Sequence, residues 1–510
     1  MTTTTAAPEP QLAPASAIPA FARGPVLTIA TAVALVMFLL SSRYGYFGDE
    51  LYFLSAGKRL DWGYADQPPL LPLLALAMDS IAPGSVTMLR LPATLATAAG
   101  AVFTALIARE LGGGRRAQTL GAAASALCAH FLATGHNLAT STIDPFLWTV
   151  LLWVVVRWVR TRNDVLLLWA GVVTGVALNV KLLVLAFWAV AGVCALVVGP
   201  RELPRRPMLW AGALVSVVAL VPTIIWQTAN GWPQFGMGQA ISAEVDQGWG
   251  GRLNLVPGMV QGAGLVVGSV LLLYGLWQLL RSEELRAYRF LGWTVLGLVL
   301  IFTITNGRFY YVSGIYAVCW AAGAVAVERG QPSKWWRWVP TWPVFVLSAI
   351  ITLPTALPIY PMSWLRDHPQ FPRPPYSVEE VGWPEMAASV AETYDRLPDS
   401  MRDRTAIVTA KYWQASAIDR FGAEHGLTEV YSGNRGFGYF GQPGDDKDIV
   451  MFVAWDPSLI EEHFTDVHKI GLIDNGLGIG NISQRQPIWL ATGPKEPWQT
   501  LWPKFRNLWV

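Results

Sequence analysis

Apolar positions are spread unevenly along this chain. They gather into runs of about twenty residues, the length a helix needs to cross the hydrocarbon core of a bilayer. Eleven such runs lie near 25–42, 87–108, 118–135, 143–159, 165–180, 182–199, 208–226, 256–280, 290–305, 310–327 and 338–357. The fifth and sixth form one stretch broken only by Asn179 and Lys181. They are divided there because a single helix of about 35 residues would overshoot the bilayer. The first run ends in Ser41-Ser42-Arg43 and lacks a small-x-small cleavage site, so it reads as a retained anchor. After Tyr360 the pattern changes: apolar runs shorten and charges become common. Strands are expected near 405–410, 448–455 and 487–492, with a helix over 412–425 and Gly-rich turns between them. The fold class is therefore a polytopic α-helical membrane protein of about eleven spans (25–357), followed by a small C-terminal α/β domain (358–510). Pro-rich 369–375 reads as the linker, and Thr/Ala/Pro-rich 1–24 as a disordered cytoplasmic tail.

Basic residues orient the bundle, since cytoplasmic loops carry excess Lys and Arg. Alternate loops do so: Arg109/Arg115/Arg116, Arg157/Arg160/Arg162, Arg201/Arg205/Arg206, Arg281/Arg286/Arg289 and Arg329/Lys334/Arg337. The intervening loops are poor in them, apart from Lys58-Arg59. The N-terminus is expected inside and the C-terminal domain outside, on a multi-pass protein of the plasma membrane. The first outer loop, 43–86, is too long for a turn, and two interfacial helices near 49–59 and 70–82 would fill it.

Composition removes whole classes of function. Charged residues make up 14% of the chain, against about 25% in an ordinary soluble domain. The net charge of +2 gives no basic field for nucleic acid. Twenty-five Trp suit a chain that meets membrane interfaces or sugars. Cys128, Cys194 and Cys319 all sit in apolar stretches, which suits buried small hydrophobes better than disulfides. No internal repeat favours a transporter built from inverted repeats.

Charges at membrane depth are functional candidates. Here they gather on the expected outer side: Asp49 and Glu50 after the first run, Asp66 before Gln67-Pro68-Pro69, Asp144 opening the fourth run, Lys181, and Arg308 followed by Phe309-Tyr310-Tyr311. Each has a plainer reading. Asp144 before Pro145 could cap a helix, Lys181 and Arg308 could snorkel to headgroups, and Asp49-Glu50 could cap an interfacial helix. Adjacent acids point apart on a helix, so one of Asp49 and Glu50 would do chemistry while the other orients or binds. His130 and His136 are six residues apart and share no helix face; a carboxylate cluster could bind a divalent cation such as Mg or Mn.

The ordered set Gly48-Asp49-Glu50-Leu51-Tyr52, Tyr64-Ala65-Asp66-Gln67-Pro68-Pro69-Leu70, Asp144-Pro145 and Arg308-Phe309-Tyr310-Tyr311 resembles the family 39 type of membrane glycosyltransferases. These are the GT-C enzymes that include protein O-mannosyltransferases and bacterial aminoarabinose transferases of lipid A. The resemblance covers about 25–357. In the tail, Ala417-Ile418-Asp419-Arg420-Phe421-Gly422 and Val430-Tyr431-Ser432-Gly433 resemble the outer domain of an actinobacterial subgroup. Gln67 departs from the family, which often has His or Lys before the Pro pair. The resemblance implies transfer of a sugar, with inversion, from a polyprenyl-phosphate donor to a protein, lipid or polysaccharide acceptor outside the cytoplasm. It implies Asp49 as the base and Lys181 and Arg308 as cations for the leaving phosphate. Asp144 would hold acceptor, sugar or metal, Glu50 and Asp66 would bind substrate, Tyr310 and Tyr311 would bond phosphate, and Trp62 could stack on a sugar. A transporter or flippase of lipid-linked sugars would share the spans and the charges, but a large outer domain is unnecessary for transport. A non-catalytic assembly or receptor protein would not need acids at the membrane mouth.

Overall fold

The computed structural model describes residues 18–330 and 332–509. The tail expected at 1–24 lies mostly outside these residues, and Arg23 and Gly24 already belong to the first helix. Sixteen α-helices build the first part: α1 (Arg23–Leu40), α2 (Gly48–Lys58), α3 (Leu70–Ile81), α4 (Val86–Glu110), α5 (Arg115–Ala126), α6 (Ala129–Gly135), α7 (Thr140–Thr161), α8 (Val165–Leu178), α9 (Val184–Val198), α10 (Pro207–Ala229), α11 (Pro233–Gly248), α12 (Leu255–Gly262), α13 (Val267–Arg281), α14 (Arg289–Ile304), α15 (Tyr316–Arg329) and α16 (Trp342–Ala356). A 3-10 segment, Phe309–Ile315, leads into α15.

Helices stand at all eleven apolar runs, but not as eleven straight spans. Among the described residues six helices are long and apolar enough to cross a membrane, or seven if the bent α12–α13 pair is one span. The third run breaks at Leu127-Cys128, where Cys128 takes extended backbone and starts α6 afresh. The eighth turns by 109° between α12 and α13, around Gly264 at φ +128°. α8, α9 and α16 are shorter apolar helices. Hydropathy averages over such breaks, because the residues at them are apolar too. The chain is nonetheless a multi-pass membrane protein.

α15 lies at the centre, buried along nearly its whole length. Small residues let its neighbours approach closely, as is usual inside membrane bundles. A Cβ on Gly275 of α13 would sit 1.7 Å from the Cys319 carbonyl oxygen of α15. By contrast α10 turns Leu214, Val217, Val218 and Ile225 outward, the apolar surface a lipid-facing helix shows.

The C-terminal part carries α17 (Met362–Asp367), α18 (Pro375–Val378), α19 (Trp383–Asp395), α20 (Asp399–Arg402), β1 (Thr405–Thr409), α21 (Tyr412–Phe421), β2 (Ile449–Val453), α22 (Ser458–His463), β3 (Phe464–Leu472), β4 (Pro487–Pro494) and α23 (Trp498–Phe505). The sheet order is β1-β2-β4-β3, with β1 parallel to β2 and the other pairs antiparallel. Three strands and α21 match the expected segments. β3 is an edge strand exposed along much of its length, with an irregularity between Lys469 and Gly471, so its apolar signal is weak. Alternate strand residues point to opposite faces. Ala406, Val408, Val450 and Phe452 pack on α23. Ile407, Met451, Val453 and Ile488 instead join a core shared with Leu51, Tyr52 and Leu54 of α2. Thus α2 does not lie on lipid. It is buried beneath the C-terminal domain, with nine of its eleven residues inaccessible.

Ion pairs fasten the same junction. Lys58 and Arg59, the basic pair that broke the loop pattern, both reach Asp419 of α21, at 3.2 and 2.7 Å. Burial opposes the Asp419 charge, but Arg59 and Lys58 outweigh it and hold the carboxyl below its usual range.

Candidate active site

Asp49 is the second residue of α2, where exposed helix N–H groups favour an anion. Two donors from the start of α21 meet its Oδ1: the Tyr412 hydroxyl at 2.6 Å and the Trp413 indole N–H at 2.8 Å. Gly48 is required beneath them, since a Cβ there would lie 2.2 Å from the Trp413 ring. Burial, then the Asp49 charge, pushes the Tyr412 phenol well above its ordinary value, so it stays a donor.

Asp49 faces a cavity of about 1100 Å³. Asp66, Lys181, Arg308, Tyr310 and Tyr311 line it too, so six of the predicted site residues share one space. Lys181 follows the C-terminal end of α8 and stands over the rings of Tyr311 and Tyr310, at 4.5 and 5.4 Å. Arg308 precedes the 3-10 segment and is bonded by its guanidinium to the Tyr310 hydroxyl at 2.8 Å. Neither cation is a simple surface side chain snorkelling to solvent. Asp66 accepts the Tyr52 hydroxyl at 2.7 Å. Burial raises the Asp66 carboxyl above its usual value, against the pull of Arg435 and Tyr52.

Three expected contributors stand elsewhere. Glu50 is fully buried and points away from the cavity. It accepts the Phe47 N–H at the start of α2 and the Leu138 N–H, and it pairs with Arg90 at 2.7 Å. Adjacent residues diverge on a helix, so Glu50 holds α2 while Asp49 faces the space. Asp144 is buried off the cavity wall and bonds the Trp148 indole at 3.1 Å. It does not cap α7, whose N-cap is Ala139. Trp62 is 66% exposed and outside the cavity. Among the described residues no three His, Cys, Asp or Glu side chains gather to hold a metal ion, so the divalent-cation expectation gains no ligand set.

Residues that sequence reasoning did not single out complete the wall. Glu244 comes from α11, a helix between the seventh and eighth runs that is too polar to register as a span. Tyr376, Tyr412, Trp413 and Arg435 come from the C-terminal part. The turn at 432–434 was visible, but nothing local says that Arg435 beyond it reaches residues 191 positions away.

Residues 66–226 match the family model of dolichyl-phosphate-mannose-protein mannosyltransferase. No curated protein matches the chain. Among solved structures, ArnT from Cupriavidus metallidurans bound to undecaprenyl phosphate is 15% identical with a TM-score of 0.57, covering 92% of this chain and 98% of that one. Its apo form gives 15% and 0.58, covering 91% and 97%. The arabinofuranosyltransferase AftD from Mycobacteria is 14% identical with a TM-score of 0.49, covering 92% of this chain and 40% of that one. At these identities the ArnT likeness is one of fold. The family-model match covers residues 66–226, just under a third of the chain.

Proposed function

We propose that the protein transfers a sugar, with inversion at the anomeric carbon, from a polyprenyl-phosphate donor to an acceptor hydroxyl on the extracytoplasmic side of the membrane. The observation that carries this is one cavity with a carboxylate, Asp49, and the cations Lys181 and Arg308 on its walls, and with apolar side chains such as Ala133, Met237, Ile241, Leu265 and Ile351 also lining it. That combination suits an amphiphile: a charged phosphate sugar at one end and an isoprenoid chain at the other. Undecaprenyl phosphate in the ArnT structure is a molecule of this chemistry.

Asp49 accepts the acceptor's hydroxyl proton as the acceptor oxygen bonds to the anomeric carbon. The bond from that carbon to the phosphate oxygen breaks, and polyprenyl phosphate leaves. Lys181 and Arg308, with the Tyr310 hydroxyl, stabilise the charge that grows on the leaving oxygen. Asp66 holds a substrate hydroxyl. Asp144, buried behind the wall, sets the field around Lys181. The acceptor class stays open to protein, lipid or polysaccharide. Transport of the same lipid is disfavoured by the mannosyltransferase match over 66–226.

Purified protein given a radiolabelled polyprenyl-phosphate sugar and membrane extract should release polyprenyl phosphate and label an acceptor. Movement of the intact donor across vesicles without release would instead establish transport. Mass spectrometry of copurifying lipid would name the sugar.

Tyr412→Phe removes one hydrogen bond to a charged acceptor, worth about 1.5–3 kcal/mol. We expect kcat to fall about tenfold or more with KM for the donor unchanged. Wild-type turnover would mean that Asp49 does not rely on Tyr412.

For orientation, exposed Arg115 and Glu424, each replaced by Cys in a background lacking Cys194, should label from the cytoplasmic and outer sides respectively. Labelling of both from one side would overturn the assignment.

A further inference from the structure

We infer that Glu244 occupies the seat of the donor phosphate and yields it when the donor arrives; this rests on the donor chemistry proposed above. Glu244 joins two arginines from different parts of the chain, Arg435, which is buried, and Arg308, which is largely buried. Its Oε1 takes Arg435 Nη2 at 2.8 Å, and its Oε2 takes Arg308 Nη2. Two guanidiniums facing each other inside a protein need an anion between them. A phosphate diester also presents two non-ester oxygens, and guanidinium forks match either group.

Both arginines are held by partners other than Glu244. Arg308 is bonded to the Tyr310 hydroxyl and lies over the Trp249 ring, 5.6 Å from its centre. Arg435 stacks on Tyr412 at 5.3 Å. Its backbone is held at φ +49°, an uncommon conformation for a residue other than Gly, with its N–H on the Asn507 carbonyl at 2.7 Å. Glu244 stands on α11, which turns Phe235 and much of its length to the outside. When the pairs exchange, α11 is the element with room to move.

A second observation points to a ligand richer in oxygen than a carboxylate. Arg308 Nε is buried and has no hydrogen-bond partner among the described residues, although both Nη atoms are engaged. His130 Nε2, on the same cavity wall and stacked on Tyr310 at 5.0 Å, is likewise without one. Buried polar groups of this kind are rarely left unmade. A phosphate brings further acceptor oxygens to both.

The test turns on a sign. Glu244→Gln keeps the side-chain size and removes the competing charge, so undecaprenyl phosphate should bind about tenfold tighter than to wild type. Arg435→Gln should bind it about tenfold more weakly. Equal or weaker binding by Glu244→Gln, in a preparation whose wild type transfers sugar, overturns the inference and leaves the proposed function intact. Wild type that neither binds undecaprenyl phosphate nor transfers sugar would overturn the function itself. Should Glu244→Gln fail to fold, a nitroxide at Phe235→Cys in protein lacking Cys194 and otherwise native decides the matter. Its spectrum should sharpen on adding undecaprenyl phosphate, and an unchanged line shape overturns the inference.

Discussion

Asp49→Asn should leave a folded protein that binds donor and turns over about 10² to 10⁴ times more slowly, the usual worth of a general base. The amide keeps an oxygen to receive Tyr412 and Trp413, so the contact between α2 and α21 survives. What is lost is the ability to take a proton. Steady-state kinetics with a labelled donor separates this from a structural role, which would lower stability by about 1 kcal/mol and leave kcat normal in whatever folds. Glu50→Gln should behave in the opposite way, unsettling the fold more than the chemical step. Transfer by Asp49→Asn at the wild-type rate would move the search for the base to Asp66, which lines the same cavity.

The largest loss of stability is expected at Arg90. Its guanidinium lies fully buried between Glu50, at 2.7 Å, and Glu380, at 3.3 Å, and Glu380 also meets His136 at 2.7 Å. Arg90→Met strands two carboxylates without their cation. Breaking one buried pair typically costs about 3–5 kcal/mol, and here one change breaks two. Thermal unfolding in detergent should show it, with Glu380→Gln giving a smaller fall. That loss measures the cost of uncompensated charge rather than the net worth of the cluster. Acid should act on the same group. Burial pushes the Glu380 carboxyl up, but Arg90 and His136 outweigh it and hold it below the usual carboxylate range. A depressed carboxyl contributes stability above its unfolded value. Glu380's share should therefore be intact above about pH 4.5 and lost as pH falls through its folded value. A stability profile that stays flat through that range would contradict the coupling.

What could be read from the chain was local. Runs such as 87–108 declare a helix through their own composition, and α2 and α3 were legible because an overlong polar loop with short apolar pieces has few other ways to fold. The breaks at Leu127-Cys128 and near Gly264 were hidden because an apolar residue in a kink scores like one in a span. Asp49, Asp66, Lys181 and Arg308 were found because charge at membrane depth is conspicuous. Glu50 had the same signature and proved to be a buried partner of Arg90, since composition cannot say which way a side chain points. Tyr412, Trp413 and Arg435 gave no signal. An aromatic pair at the start of a soluble helix is ordinary until Asp49 is placed beneath it.

The hydrogen bonds from α21 to Asp49 also set a schedule. Tyr412 lies 363 residues after Asp49. At synthesis rates of about 5–20 residues per second, the carboxylate waits roughly 20 to 70 s for its donors. Arg435 waits longer still, because Asn434 beside it is tied to Asn507 and Trp509. A nascent copy with every membrane helix already inserted therefore still lacks Tyr412, Trp413 and Arg435 on its cavity wall. On the proposed function, full turnover waits until the segment through Trp509 has been made and folded back over α2, so shorter nascent copies draw little on the lipid-linked sugar pool.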